Sequence, residues 1–444
     1  MQSKIIRFIG FCIILVCGCF TVHESKAASV ERIITAEGFE IWYLRELSVP
    51  VISLSIGFRG GSASDPIGKE GLSYFATNLL DEGAGKMDSQ SFQKKVTDNA
   101  IHLNFIPGRD ITSISLRTLS QNRKEAFKLM GLALTQPRFD KEAKERVREQ
   151  ILSKIATGEK QPNSVAIKSW YKAMLGDHPF SRPLEGNTKS ILSIQKKDLE
   201  DFIRGRFAQD NIFIGASGDV EPEEIASLVD SALKTLPSNS LSFSLPEVKF
   251  NLEPHFDVIN LDIPQSIAVF GFPGIPRVHK DFYAAYVMNY ILGGSGFTSR
   301  LYKEVREKRG LAYSVYSYLH TLDSIGLIVG GVATRNDAMS NSIDIIKKEL
   351  SLMAKNGITK EELSSAKRAI TGSFPLKFDT SSSVAQILLS MQFQGLNHDY
   401  LERRNSYIEN ITVTDVRSIA KQLLNQNKMV TVIVGSPKGL TSYK

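Results

Sequence analysis

Cysteine is nearly absent from this 444-residue sequence, and its three copies, Cys12, Cys17 and Cys19, all lie close to the amino terminus. If residues 1–27 are removed from the mature protein, as predicted below, no cysteine remains. Such a chain can form no disulfide, and it can use neither a thiolate nucleophile nor a cysteine-ligated zinc. Its stability must therefore come from a large apolar core.

Dense runs of basic residues are also missing. The formal net charge is +7 over the whole chain, and no Lys/Arg cluster stands out. This argues against nucleic-acid binding, which needs a concentrated basic surface. Apolar residues make up 42% of the sequence and charged residues 23%, as is usual for globular proteins. The length is sufficient for two ordinary domains.

The amino terminus has the features of a secretory signal peptide that covers residues 1–27. A basic start precedes an apolar run at residues 8–20, and Ser25-Lys26-Ala27 places small residues at the cleavage positions. The run is too short to cross about 30 Å of hydrocarbon as a helix. We therefore predict export to the bacterial periplasm. A lipoprotein is the alternative, because Val16-Cys17-Gly18-Cys19 loosely resembles a lipid-attachment site.

The rest of the sequence contains an internal repeat. Three pairs of landmarks recur in the same order at offsets of 214 to 219 residues: 57–60 with 271–274, 139–142 with 358–361, and Gly218 with Gly435. A common order and a nearly constant offset indicate tandem duplication. The turn-rich segment 236–253 predicts the boundary, which gives one domain at residues 28–240 and a second at 241–444.

Each half mixes helical and strand-like patterns. Helical spacing covers residues 281–292, 360–372 and 413–424, and hairpin-like strands cover 312–319 and 326–333. We predict an α+β fold of two tandem homologous domains, each an antiparallel sheet with helices packed on one face.

The most specific stretch lies in the second half. It reads Gly-Gly-Ser-Gly-Phe-Thr-Ser-Arg-Leu-Tyr from Gly293 to Tyr302 and Arg-Glu-Lys-Arg-Gly-Leu-Ala-Tyr from Arg306 to Tyr313. This closely resembles the second signature of the pitrilysin and mitochondrial-processing-peptidase family of zinc metallopeptidases, peptidase family M16. The resemblance runs from about residue 32 to the end of the chain. The family's two similar α+β domains agree with the repeat.

The resemblance also locates the family's zinc motif, and its zinc-binding residues are missing here. Catalytic members carry HxxEH on a helix, where two His one turn apart hold zinc and the Glu accepts a proton from the zinc-bound water. The matching positions hold Tyr74, Thr77 and Asn78, none of which is a good zinc ligand. Glu149 lies near the expected position of a further ligand, and we interpret it as a surface charge. We therefore predict no metal in this chain.

The second signature retains an arginine and a tyrosine, Arg306 and Tyr313. In active family members, residues of these types at this spacing face the zinc from the second domain. Arg is a permanent cation with a planar fork of donors, and Tyr offers an O–H donor. Both can hold a peptide carbonyl and stabilise the developing oxyanion. The alternative is an ordinary surface charge and a core aromatic.

The family's heterodimers suggest a role for such a chain. In them one subunit carries HxxEH and zinc, and its sister supplies the Arg/Tyr pair and half of the chamber. We therefore predict a non-catalytic subunit that binds peptide substrates and completes the zinc site of an HxxEH partner with Arg306 and Tyr313. Two alternatives stay open: a purely structural or peptide-binding homologue, and a self-sufficient metallopeptidase with an atypical metal site.

Overall fold

The computed structural model describes residues 30–442. The predicted signal peptide, residues 1–27, and all three cysteines lie outside the described residues. Within the described range, no helix combines the length and the apolar character needed to cross a membrane.

The first half is built around a six-stranded sheet. Its strands, with a separate small hairpin β4–β5, are β1 (Glu31–Ile34), β2 (Glu40–Arg45), β3 (Val51–Arg59), β4 (Gly83–Ala84), β5 (Met87–Asp88), β6 (His102–Pro107), β7 (Ile111–Leu119) and β8 (Ile212–Gly218). The order across the sheet is β1-β2-β8-β3-β7-β6. The helices of this half are α1 (Leu72–Thr77), α2 (Ser89–Asp98), α3 (Arg123–Thr135), α4 (Lys141–Gly158), α5 (Pro162–Leu175), α6 (Thr188–Ser193), α7 (Lys196–Arg206) and α8 (Pro222–Leu233).

The second half repeats this plan with five strands. They are β9 (His255–Asn260), β10 (Gln265–Pro273), β11 (Ala312–Leu322), β12 (Ile325–Arg335) and β13 (Val430–Gly435), in the order β11-β12-β10-β13-β9. The helices are α9 (Phe282–Asn289), α10 (Met339–Asn356), α11 (Lys360–Gly372), α12 (Ser381–Phe393), α13 (Tyr400–Glu409) and α14 (Val413–Leu423), with π-helical turns at Tyr290–Gly294 and Tyr302–Glu307.

The predicted α+β fold with two similar halves is confirmed, but the sheets are not purely antiparallel. In the first half β8 pairs parallel with β2, and in the second β13 pairs parallel with β9. The reason is connectivity: β8 returns only after the helices α1 to α7 and inserts between β2 and β3. A long helical crossover permits a parallel neighbour, whereas a tight hairpin does not.

The prediction of helices on one face only is wrong, because each half lends one helix to the other. Helix α5 packs on β10 and β13 of the second sheet, and α12 packs on β3 and β8 of the first. The strand β10 of the second sheet requires this cover, because it is apolar on both faces. On β3 of the first sheet the contact with α12 is partly polar, since Ser53 Oγ lies 2.8 Å from Ser381 Oγ. In β2, Tyr43 belongs to the first-half core, while its neighbour Trp42 packs with Leu388 of α12.

The repeated glycines are explained by this exchange. A Cβ at Gly57 would lie 2.5 Å from Ile111 of β7 and 2.8 Å from Leu389 of α12. One at Gly271 would lie 2.2 Å from the Ile328 carbonyl of β12 and 2.6 Å from the ring of Trp170 on α5. The same landmark therefore marks, in each half, the point where the helix from the other half approaches the sheet.

The segment that joins the halves, residues 236–254, contains neither helix nor strand. Leu241 lies against α7, where its N–H donates to Gly205, while Val248 and Phe250 pack in the cluster around α5. The predicted boundary between residues 240 and 241 falls inside this segment and remains a prediction.

Candidate functional site

Arg306 and Tyr313 lie side by side, although seven residues separate them in the chain. Arg306 sits in the π-helical turn Tyr302–Glu307, and the chain then reverses at Gly310, whose φ of +59° suits glycine. Tyr313 follows at the start of β11. The guanidinium carbon of Arg306 lies 4.5 Å from the centroid of the Tyr313 ring and 4.9 Å from that of Tyr302.

Tyr313 points outward because of a β-bulge. The pairing of β11 with β12 passes from Ala312 directly to Ser314 and skips Tyr313, whose side chain is 82% exposed. Bulges of this kind re-aim a side chain, and they are frequent beside active sites. The interpretation of Tyr313 as a core aromatic therefore does not describe this structure.

The donor groups of the pair are not engaged elsewhere. Among the described residues, Arg306 forms no ion pair, and the Tyr313 hydroxyl has no hydrogen-bond partner within the protein. Glu304, a carboxylate of the same turn, accepts instead from Lys308 and Arg309, which lowers its pKa. Arg306 therefore lies unpaired, in the described part of the chain, next to an exposed phenol, with both side chains available to an outside acceptor.

A buried polar contact holds β11 against the helix that precedes the site. Asn289, the last residue of α9, donates from Nδ2 to the Ser317 carbonyl at 3.1 Å and accepts from Ser317 Oγ at 2.8 Å. Gly293 lies against the same residue, and a Cβ there would meet Ser317 Oγ at 2.4 Å. The glycines of the signature thus allow the π-helical turn Tyr290–Gly294 to approach the strand.

We expect Asn289→Ala to lower the free energy of unfolding by about 1–3 kcal/mol, since it leaves two buried groups of Ser317 unsatisfied. Chemical denaturation followed by circular dichroism measures the change. Asn410→Ala, at the carboxyl end of α13, provides a control at a helix end outside this contact. Equal stability of the two variants would contradict a positioning role for Asn289.

A row of aromatic side chains continues from the site along β11, and the sequence analysis missed it. Tyr316 and Tyr318 stack with centroids 6.2 Å apart, and His320 packs edge-on against Tyr318. Burial raises the pKa of Tyr318 to about 12, while burial and then the charge of Arg109 lower the pKa of His320 to about 4. The period-two spacing of Tyr316, Tyr318 and His320 was the available signal.

Two of the zinc-motif positions, Tyr74 and Thr77, lie on α1, and Asn78 is the C-cap residue of that helix. Thr77 is fully buried and donates from Oγ1 to the Ser73 carbonyl at 2.6 Å, and Asn78 donates from Nδ2 to the Tyr74 carbonyl at 2.7 Å. Helix α1 itself is capped by Asp65, which accepts from two backbone N–H groups. Burial raises the pKa of that carboxyl to about 7.

A lysine occupies the exposed side of this motif. Lys154 of α4 donates to the Tyr74 hydroxyl at 2.6 Å, and its ammonium lies 4.7 Å from the ring centroid. Glu149, the candidate downstream ligand, lies exposed on the same helix, and it is Lys154 that reaches Tyr74. No group of three or more His, Cys, Asp or Glu side chains among residues 30–442 is arranged to hold a metal.

Restoring zinc binding at these positions should therefore require replacement of Lys154 as well. We expect a chain carrying Tyr74→His, Thr77→Glu and Asn78→His to bind zinc weakly, because the Lys154 ammonium repels a cation at close range. Adding Lys154→Glu replaces this charge with a ligand and should tighten zinc binding at least about tenfold. Competition with a zinc chelator measures both affinities. Equal affinities would show that Lys154 does not face the restored site.

Comparison with known proteins places both halves in one family. The family model "Insulinase (Peptidase family M16)" matches residues 45–188, and "Peptidase M16 inactive domain" matches residues 193–370. A Helicobacter pylori protein described as "Non-peptidase homolog YmxG" is 26% identical over 437 residues, which cover 96% of this chain and 99% of that protein. An "Uncharacterized zinc protease" of Rickettsia felis is 26% identical, over 72% of this chain and 76% of its own.

Solved structures agree with these matches. The crystal structure of a peptidase M16 inactive domain from Pseudomonas fluorescens superposes with a TM-score of 0.86 at 26% identity. The superposition covers 93% of this chain and 98% of that one. The fold and both halves of the sequence are thus shared with a group that includes proteins described as zinc proteases and a protein described as a non-peptidase.

Proposed function

The chain belongs to peptidase family M16 as a member of its inactive type, and from that premise we propose that it is the non-catalytic subunit of a two-part zinc peptidase. Its partner would be a family member that carries HxxEH and zinc. In the closed pair, Arg306 and Tyr313 would bind the carbonyl of the scissile peptide bond and stabilise the oxyanion formed when zinc-bound water attacks it.

One observation carries this proposal: Arg306 and Tyr313 form a contact pair whose donors are free. The guanidinium lies 4.5 Å from the phenol ring, and the phenol is 82% exposed at a bulge. Nothing in the local packing requires so large an aromatic to face solvent. A peptide carbonyl presented by another chain would supply the acceptor that both donors lack.

The loss of the zinc-binding residues supports the assignment of zinc to the partner and of the Arg/Tyr donors to this chain. A zinc peptidase requires ligands and a general base, and Thr77 offers no base near neutral pH. The Lys154 ammonium beside Tyr74 also disfavours a cation in the same place. The metal in the proposed assembly therefore belongs to the partner, and this chain contributes donors and a substrate-binding surface.

We propose the bacterial periplasm as the place where the pair acts. The support is the predicted signal peptide at residues 1–27. Fractionation with mass spectrometry of the mature amino terminus tests it, and an acylated Cys19 would favour the lipoprotein alternative.

The proposed function is tested by reconstitution with an HxxEH family member from the same organism. Hydrolysis of an unstructured fluorogenic peptide and bound zinc are measured for each chain alone and for the mixture. We expect this chain alone to be inert and free of zinc, the partner to hold about one zinc, and activity to rise strongly on mixing. Activity and stoichiometric zinc in this chain alone would instead establish the self-sufficient peptidase.

A further inference from the structure

A second site lies at the other end of β11, away from Arg306 and Tyr313. It is an open cavity of about 320 Å³. Its walls are formed by helices α9, α12 and α13, by Thr321 of β11, and by the turn that contains Phe374 and Lys377. Thr321 lies near the opposite end of β11 from Tyr313. At about 3.3 Å per residue, eight residues of strand place the cavity roughly 26 Å from the Arg/Tyr pair.

Three cations line this cavity, and no acid does. They are Arg277, Lys377 and Arg404. None of the three forms an ion pair with any residue in the described part of the chain. The acids nearest in sequence to Lys377 and Arg404 are Asp379 and Glu402, and both line a different cavity. Of the next acids along the chain, Asp281 lies 3.9 Å from His279 and Asp399 pairs with Arg403 at 3.1 Å.

The arginines are held firmly, but by neutral groups. Arg404 is only 5% exposed, and its guanidinium stacks 4.0 Å from the Phe374 ring centroid. Arg277 donates from Nη2 to the hydroxyls of Tyr283 at 3.0 Å and Tyr400 at 3.1 Å. A buried charge is ordinarily paired with an opposite charge, so an arginine this deep without a carboxylate is unusual.

The cations also oppose one another. Burial and then the charge of Arg404 lower the pKa of Lys377, so its charged form is disfavoured where it stands. An anion in the cavity would raise the pKa of Lys377 again, because it would place negative charge among all three cations. Arginine presents parallel donors that match the oxygens of phosphate or carboxylate, and the two tyrosine hydroxyls lie beside them.

From this arrangement we propose that the cavity binds a phosphate group carried by a small molecule or by a lipid headgroup. A phosphate monoester fits better than a carboxylate, because its charge near −2 and its three acceptor oxygens complement three cations more completely than a charge of −1. The volume also exceeds what a single carboxylate would fill. The site is independent of the peptidase proposal, since it shares no residue with the Arg/Tyr pair.

Calorimetric titration of the purified protein with inorganic pyrophosphate tests the proposal, beside flotation with phosphatidylcholine vesicles with and without phosphatidic acid, whose headgroup is a phosphate monoester. We expect saturable binding to pyrophosphate or to the anionic vesicles. Arg277→Gln and Lys377→Gln should each weaken it at least about tenfold. Arg335→Gln is the matched control, because Arg335 is exposed at the end of β12 and already pairs with Asp337.

The outcomes distinguish a soluble phosphate ligand from a lipid headgroup, and they also show when the proposal is wrong. Binding of pyrophosphate that is lost in both cavity variants assigns a soluble phosphate ligand, and binding of anionic vesicles alone, lost in the same variants, assigns a lipid headgroup. Absence of both, or binding that Arg277→Gln, Lys377→Gln and Arg335→Gln weaken equally, overturns the proposal. Lys377 lies in the short turn Phe374–Phe378, which contains no fully buried residue, so Lys377→Gln still tests the proposal if Arg277→Gln fails to fold.

Discussion

Replacing Arg306 with alanine is expected to lower the kcat of the reconstituted pair by about 10²–10³-fold, the usual loss when one oxyanion donor is removed. The guanidinium is free to act in this way because Arg306 forms no ion pair in the described part of the chain, and Glu304 of the same turn is already bonded to Lys308 and Arg309. KM should change less than kcat, because the interaction strengthens as charge develops on the carbonyl oxygen. Kinetics with a fluorogenic peptide measure both constants.

Tyr313→Phe provides the finer test, since it removes only the hydroxyl and keeps the ring beneath Arg306. We expect a loss in kcat of the same order, with unchanged zinc in the partner and unchanged assembly of the pair. Tyr407→Phe is the matched control: it removes a hydroxyl from α13, outside the Arg/Tyr pair and outside the aromatic row of β11. Analytical ultracentrifugation shows whether the subunits still associate.

Unchanged turnover in both Arg306→Ala and Tyr313→Phe would contradict catalysis in trans and favour the structural or peptide-binding alternative. Loss of activity together with loss of association would place the two residues in the subunit interface. Only a fall in kcat at constant zinc and constant association supports the proposed role, and the structural alternative does not predict it.

The sequence predicted the elements of this fold well where local signals are strong. The helix predicted at residues 360–372 is α11 (Lys360–Gly372), whose capping box joins Thr359 and Glu362. The hairpin predicted from residues 312–319 and 326–333 is β11–β12, with longer strands than expected. These elements depend on periodicity and capping, which can be read within a short window.

The exchange of helices could not be predicted in the same way. Trp170 and Leu389 read as ordinary apolar positions of their own helices, and nothing local shows that each packs on the sheet of the other half. A signal was present in the strands, since Val430 to Val434 is apolar almost throughout and so needs cover on both faces. Which helix supplies that cover is decided by the tertiary fold.

The candidate site likewise has features that the sequence showed and features that depend on long-range contacts. The spacing of Arg306 and Tyr313 indicated their contact only through the family resemblance, and the bulge that exposes Tyr313 depends on pairing with β12. The loss of the zinc motif was visible in the sequence, but Lys154 was not, because it approaches Tyr74 from a helix 80 residues further along the chain. Long-range side-chain contacts of this kind have no local signature.

Trp170→Ala should produce the largest loss of stability. The side chain is fully buried where α5 of the first half meets the second sheet, and its indole N–H donates to the Val430 carbonyl at 3.1 Å. Truncating a buried tryptophan leaves a cavity, and it lowers the free energy of unfolding by about 3–5 kcal/mol. Urea denaturation followed by circular dichroism measures the loss. Tyr313→Ala is the control, because truncation of an exposed aromatic should change stability by no more than about 0.5 kcal/mol.

The same variant tests whether the exchanged helices couple the halves. Trp170 belongs to the first half of the chain but packs with Val269 and Val432 of the second, so its loss should weaken the second half most. Amide hydrogen exchange in β10 and β13 should therefore accelerate more than exchange in β3 and β8. Gly271→Val should also accelerate exchange in the second sheet, because a Cβ there meets the Ile328 carbonyl of β12 at 2.2 Å and the Trp170 ring at 2.6 Å. Faster exchange in the first sheet alone would mean that α5 stabilises its own half and that the exchange does not join the two.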